Sequence, residues 1–183
     1  KSMFPFKRIG KNCKISPKIS VFNPENISIG DNVRIDDFCV LSGGAGLHIG
    51  SHIHIACYAS FFAGSGIVLG DFCQIAAYCL LLSESDDFSG NSLIGPQIGN
   101  PIKYKPGYKR GTPIVFEPHV TLGAKCTVLP GVTMHEGAIA GAHSLIKNDC
   151  DAWWLYAGAP AKKIKERSRK MLELADSFLK EIA

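Results

Sequence analysis

Glu84, Asp86 and Asp87 crowd into the stretch LLSESDDFSG at residues 81–90, and they are the only acidic residues between Phe72 and Phe116. The chain around them is net basic, with a formal charge of +4. A local concentration of carboxylates suits proton transfer or the holding of a polar substrate. The bland alternative is an Asx-turn, in which the acids are solvated and release the chain from a regular element. The six histidines, at 48, 52, 54, 119, 135 and 143, are the other groups able to move a proton near neutral pH.

These residues sit on a repeat. Four blocks of twenty align without a gap: IGKNCKISPKISVFNPENIS, IGDNVRIDDFCVLSGGAGLH, IGSHIHIACYASFFAGSGIV and LGDFCQIAAYCLLLSESDDF. Each opens with an aliphatic residue and a glycine (Gly10, Gly30, Gly50, Gly70). Six residues on come Ile15, Ile35, Ile55 and Ile75, and six further Val21, Leu41, Phe61 and Leu81. A fourth column reads Ile27, Leu47, Ile67 and then Asp87, where an aliphatic is expected. A second stretch keeps step at six through Phe116, Leu122, Val128, Met134, Ala140 and Ile146. This is neither the helical period nor the alternation of a half-buried strand. It describes short strands separated by corners, three to a triangular coil, with coils stacked strand on strand about 4.8 Å apart. Glycine after the opening aliphatic is expected to supply corner backbone angles.

The repeat accounts for the cysteines. Cys13, Cys39, Cys73, Cys79 and Cys126 fall four residues after an inward aliphatic, where a small buried residue is needed, and Cys57 lies off that position. They read as inert core thiols rather than metal ligands or a disulfide framework. Residues 88 to 115 leave the repeat as an excursion carrying Lys103, Lys105, Lys109 and Arg110, and a long excursion from a regular domain is usually functional. After Gly158 and Pro160, the spacing of Ile164, Met171, Leu172, Ala175, Phe178, Leu179 and Ile182 predicts one amphipathic helix. The expected organisation is a β-helix domain over 1–162 and a helix over 163–183.

Apolar content of 46% and charged content of 20% are those of an ordinary globular protein. The mild basic balance suits an anionic ligand without demanding nucleic acid. No apolar run is long enough to insert in a membrane, and the N-terminal KSMFPFKRIGKNCK has no signal-peptide core. A cytoplasmic location is expected.

The tandem hexapeptides, with GVTMHEGAIAGAHSLIKND and YAGAPAKKIKER, resemble the hexapeptide-repeat acyltransferases over about residues 9 to 165, and most closely sugar O-acetyltransferases of O-antigen and capsule type. The resemblance implies an all-β solenoid, a left-handed parallel β-helix with an excursion loop and a C-terminal helix. It also implies a homotrimer and acetyl-CoA as acyl donor, with no metal. It places backbone at Ala124 and Ala142 along the pantetheine, and Lys147, Lys162 and Lys165 near the phosphates. In galactoside-type members a histidine base sits just after the third face of the coil before the excursion; here that position is Asp86.

Among the histidines, His54 occupies a corner column with Arg34 and Gln74, one coil to either side. Such a polar column lines a groove, which makes His54 the leading proton acceptor, with His119, opening the coil after the excursion, behind it. Within one chain His54 and Asp86 lie at different corners, about 16 to 20 Å apart along a strand. Between neighbouring chains of a trimer, Asp86 or Asp87 is expected to reach and orient His54. Glu84 and Tyr58 are candidate substrate contacts. The leading expectation is O-acetylation of a sugar or glycan precursor for polysaccharide biosynthesis. The runner-up is N-acetylation of a nucleotide-linked amino sugar, for which a carboxylate suffices because a neutral amine is already nucleophilic. A β-helix carbonic anhydrase needs three converging histidines, and a non-catalytic binding module would not carry the GAPAK signature.

Overall fold

A computed structural model describes residues 4–95 and 111–182. The repeat folds into a left-handed parallel β-helix with three stacks of short strands. The first face carries Arg8–Ile9, Ile27–Ile29, Leu47–Ile49, Ile67–Leu69, Ile114–Phe116 and Thr133–Met134. The second carries Lys14–Ile15, Arg34–Ile35, His54–Ile55, Gln74–Ile75, Thr121–Leu122, Ile139–Ala140 and Trp154–Ala157. The third carries Ser20–Phe22, Val40–Ser42, Ser60–Phe62, Leu80–Leu82, Thr127–Val128 and Leu145–Ile146. The register is the one read from the repeat: Arg34 lies opposite His54, and His54 opposite Gln74.

Each inward column is buried beyond the first coil, as Ile35, Ile55, Ile75, Leu122 and Ala140 show on the second face, whereas Ile9, Ile15 and Val21 in that coil are exposed or only partly buried. Phe61 and Phe116 are the largest fully buried side chains. Burying such a side chain contributes about 1.5 to 3 kcal/mol. The break at Asp87 also resolves: Ile67 is paired in register with Ile114, so the aliphatic column resumes at Ile114 and Asp87 stands outside the coil. Lys103, Lys105, Lys109 and Arg110 fall outside the described residues.

The corner glycines act differently from expectation. Gly10, Gly30, Gly50 and Gly70 are absent from the described residues with positive φ. They are needed for close approach: a Cβ on Gly30 would lie 2.6 Å from the Gly50 carbonyl oxygen, and one on Gly70 2.7 Å from the Pro118 nitrogen. The left-handed angles fall two residues later, on Asn12, Asn32, His52, Phe72 and His119 at the first corner. At the second corner they fall on Phe38, Tyr58, Tyr78, Lys125 and His143. Asparagine tolerates this region, whereas a bulky residue there costs about 1 to 2 kcal/mol. Stacking offsets part of that cost. His52 lies on Phe72 at 4.8 Å and Phe72 on His119 at 5.1 Å between centroids, each pair within 9° of parallel. Tyr58 lies on Tyr78 at 4.8 Å and on Phe38 at 5.1 Å.

The chain's end departs from the predicted single helix. Lys162–Glu166 turns back as a strand antiparallel to Trp154–Ala157, with the Lys163 ammonium 3.8 Å over the Trp154 ring. The helix, α1, spans Met171–Ile182. Ile164 fits helical spacing in the sequence, but the turn at Gly158–Pro160 puts it on a strand that pairs with the last coil. Phe178 of α1 meets His52 edge-on at 5.4 Å, which seats α1 over the first corner.

Candidate active site

Glu84, Asp86 and Asp87 follow the last third-face strand before the excursion. Ser83, fully buried, closes the coil by donating from Oγ to the Phe62 carbonyl at 3.1 Å, and the same oxygen accepts from the Ser65 amide at 2.9 Å. Glu84 accepts a 2.7 Å hydrogen bond from Ser65 Oγ and packs over Gly64, so it ties the loop to the coil. Asp87 accepts from the Ser89 amide at 2.9 Å and from Ser92 Oγ at 2.9 Å, which is an Asx-turn that shapes the loop. Asp86 lies between them, half-buried.

His54 stands at the start of its second-face strand, with its partners in the two neighbouring coils. Its Nε2 lies 2.8 Å from Asp36 Oδ2, and Asp36 Oδ1 accepts from Arg34 Nε at 2.7 Å. Gln74 Nε2 approaches His54 Nδ1 at 3.4 Å. Burial pulls the Asp36 carboxyl upward, but the hydrogen bonds and charges of His54 and Arg34 outweigh it and hold the group below the usual carboxylate range. The carboxylate on His54 within the chain is Asp36, which the sequence analysis did not single out. Asp36 was readable only as the residue closing a strand that pairs with the His54 strand.

His119 is 7% exposed, and among the described residues its buried Nδ1 has no hydrogen-bond partner. Burial, and the nearby Arg167, push its imidazole below the ordinary histidine range against the pull of Glu136 and Asp71. His54 and His119 line one groove of about 560 Å³ between the second face and α1, with Arg34 and Gln74 on one wall and Leu174 and Phe178 on the other. Glu84, Asp86 and Asp87 are not among its lining residues.

The second corner gathers a different set. Ala124 and Ala142 lie one above the other: the His143 amide donates to the Ala124 carbonyl at 2.9 Å, and a Cβ on Gly123 would come within 2.6 Å of the Ala142 nitrogen. Among the described residues neither the Ala124 nor the Ala142 amide donates to a backbone carbonyl. This corner offers a smooth edge with donors to spare, the surface an extended amide-bearing arm requires. Tyr58 belongs to the stack at this corner. Lys162 and Lys165 are exposed on the strand paired with Trp154–Ala157, and Lys147 is exposed just after the third-face strand Leu145–Ile146. Lys163, between the first two, is taken by Asp151 at 2.6 Å. Among the described residues no group of three His, Cys, Asp or Glu is placed to hold a metal ion. Among the described residues no helix is long and apolar enough to cross a membrane.

A stack of hexapeptide coils, a loop inserted after a third face and a small-residue corner near the chain's end define a β-helix acyltransferase. No family model matches the chain. A dTDP-4-amino-4,6-dideoxy-D-glucose acyltransferase of Escherichia coli is 43% identical over 174 residues, which cover 94% of this chain and 88% of that protein. The chain belongs to the hexapeptide-repeat β-helix acyltransferases. The solved structure of AntD, an N-acyltransferase from Bacillus cereus in complex with dTDP and 3-hydroxybutyryl-CoA, matches with a TM-score of 0.88 and 46% identity, over 97% of this chain and 92% of that one. A variant of AntD in complex with dTDP-4-amino-4,6-dideoxyglucose and coenzyme A matches equally, at 46% and 0.88, over 96% and 92%. A hexapeptide-repeat acetyltransferase from Vibrio cholerae, at 18% identity and a TM-score of 0.59 over 89% and 72%, shares the fold alone. These relatives overturn the expectation of sugar O-acetylation: at this identity the matches are acyltransferases of an amino sugar, not of a hydroxyl.

Proposed function

We propose that this chain is an N-acyltransferase that moves an acyl group from a coenzyme A thioester to the amino group of a dTDP-linked amino-deoxy sugar. The observation that carries this reading is the 43% identity to a dTDP-4-amino-4,6-dideoxy-D-glucose acyltransferase across 94% of the chain. The acidic loop supports it chemically. A sugar amine is an ammonium near neutral pH and needs an anion to receive it, whereas a hydroxyl does not.

In this reading the loop acids divide their work. Glu84 and Asp87 hold the loop against the coil, and Asp86 receives the ammonium and accepts the proton that must leave before nitrogen has a lone pair. The carbon–nitrogen bond then forms as the carbon–sulfur bond breaks, and the second proton lost by nitrogen neutralises the departing thiolate. When bound, coenzyme A supplies the activated thioester carbonyl. The Ala124 and Ala142 amides hold its arm, and Lys147, Lys162 and Lys165 neutralise its phosphates as point charges. The assembly is a homotrimer, supported by an apolar strip of Phe22, Phe38, Tyr58, Phe62 and Tyr78, each more than 40% exposed in the single chain. In it, Asp86 of one chain approaches the corner of its neighbour.

Mass spectrometry tests the reading. The purified protein, given coenzyme A thioesters and dTDP-4-amino-4,6-dideoxyglucose, should add one acyl group to the amino sugar and none to dTDP-glucose. Acylation of dTDP-glucose at a comparable rate would refute it.

A further inference from the structure

We infer that the first corner carries a pH-sensitive latch on α1: protonation of His119 expels the Arg167 guanidinium that fastens the helix to the solenoid, and α1 swings off the groove it borders. This goes beyond the acyl-transfer reading and does not depend on which reaction the protein performs. The first observation is how α1 is held. None of its residues is fully buried, and its ring contacts with the solenoid are those of Phe178, edge-on to His52 at 5.4 Å and to Phe72 at 6.3 Å. The chain leading into it is fastened at Arg167. The Arg167 amide donates to the Trp153 carbonyl at 2.7 Å, and its Nη1 donates to the Gly137 carbonyl at 2.8 Å and the His119 carbonyl at 3.4 Å. A helix with few buried contacts opens more readily than the sheets beneath it.

The second observation is what surrounds the imidazole. His119 is a rung of the first-corner column, with Phe72 at 5.1 Å and Trp153 at 6.3 Å from its ring. Its Nδ1 is sealed and among the described residues has no partner. A protonated imidazole carries a hydrogen on each nitrogen, so Nδ1 then holds one that nothing accepts. The charged groups facing the ring are Arg167, Glu136 and Asp71. Both carboxylates are engaged elsewhere: Glu136 Oε2 accepts from Trp153 Nε1 at 3.2 Å, and Asp71 Oδ1 accepts from the Ser51 amide at 2.7 Å. Arg169 lies over the Trp153 ring at 5.9 Å, and His52 lies on Phe72. A proton on His119 therefore stands against the Arg167 guanidinium, and like charges disfavour one another. Releasing Arg167 separates the two cations and lets water reach Nδ1. The released state binds the proton more tightly, so falling pH favours it.

Amide hydrogen exchange on the full chain, read by mass spectrometry between about pH 8 and about pH 5, tests the latch. Each rate is divided by that of an unstructured peptide of the same segment, which removes the intrinsic pH dependence. In the wild type, corrected exchange across α1 should rise about tenfold on acidification, the scale of one buried charged contact, while strands such as Gln74–Ile75 and Thr121–Leu122 keep their protection. His119→Phe keeps the stack on Phe72 and removes the proton site, so α1 should stay protected throughout. Arg167→Gln removes the guanidinium, so α1 should exchange fast at both ends of the range. His52→Phe, the control for the other imidazole that touches α1, should respond as the wild type does. Melting temperatures confirm folding, and if His119→Phe does not fold, the wild type and Arg167→Gln decide. Equal protection of α1 at both ends of the range in the wild type overturns the inference. So does a pH response that survives in His119→Phe, or an Arg167→Gln helix as well protected as the wild type's at high pH. Strands that accelerate by the same factor as α1 would show global unfolding and overturn it too.

Discussion

Asp36 and His54, on neighbouring coils of the second face, share a hydrogen bond of 2.8 Å between Oδ2 and Nε2, and Arg34 closes the set from the other carboxylate oxygen. With Gln74 facing Nδ1, both imidazole nitrogens are occupied. This describes a positioned wall better than a lone base, and it separates His54 from Asp86 in what each should do.

Asp86→Asn should therefore lower turnover by about 10²- to 10⁴-fold, the usual loss for a proton acceptor. His54→Ala should keep turnover at saturating acceptor within about threefold while raising KM for the nucleotide sugar. Steady-state kinetics on both variants decide the matter; a dead His54→Ala beside an active Asp86→Asn would reverse the roles.

Gly137→Ala should destabilise the fold sharply. Gly137 has φ +66°, and a Cβ there would lie 2.5 Å from the Trp153 ring. The backbone conformation alone costs about 1 to 2 kcal/mol for a residue with a Cβ, before the clash is counted. Calorimetric melting should show a drop of several degrees, with Gly141→Ala, where the nearest contact is 3.4 Å, as the milder control.

Stability should fall on mild acidification. His119 is held below the ordinary histidine range, first by burial. The unfolded chain therefore binds a proton at a pH where the native state does not, and folding loses free energy as pH drops through the unfolded value near 6.5. The loss levels off below the native value. Melting temperatures between about pH 8 and pH 5 should decline, and His119→Phe should flatten the slope. An equal slope in the variant would assign the effect to other groups.

The thiols should be slow to react in the native state. Burial pushes Cys39 up to about 11 and Cys73 and Cys150 up to about 12. Cys79, hydrogen-bonded with Cys126 and buried, is pushed up as well, and Cys126, which the same hydrogen bond pulls down to about 7, is kept from reagents by full burial. Cys13 and Cys57 are only partly buried. Maleimide labelling followed by peptide mass analysis should mark Cys13 and Cys57 first and the others only on unfolding. A reductant should leave the melting temperature unchanged.

Light scattering should give the mass of three chains for the wild type, and of one for Phe62→Asp, because a charge in an apolar interface loses its hydration without a partner. A trimeric Phe62→Asp would place the contact on another face.

The coils were legible in the sequence because every one of them makes the same demand. A column that must point inward, such as Ile35, Ile55 and Ile75, shows its apolar character at a fixed interval. Outward relationships carry no such signal. Asp36 and His54 meet only because two coils stack in register, and no local pattern marks the pair. His119 shares its corner with Asn32 and His52, which are only partly buried, and it becomes inaccessible because Phe72, Trp153 and the Arg167 guanidinium, which donates to the His119 carbonyl, surround it. Ile164 satisfied a helical period while belonging to a strand, since a single apolar residue fits either. The choice between a hydroxyl and an amine acceptor was legible only as a conflict, carboxylates standing where the resemblance implied a histidine.

The register of Ile67 on Ile114 has an evolutionary consequence. The first-face strands of the coils on either side of the excursion, Ile67–Leu69 and Ile114–Phe116, are bonded as though nothing came between them, so the wall of the solenoid does not depend on what the intervening segment contains. Residues 84 to 113 behave as a cassette: they can be lengthened, shortened or rewritten while each flanking coil keeps its neighbours. A lineage of such proteins can change the chemistry at the loop by substitution within that cassette, without renegotiating the scaffold that presents it.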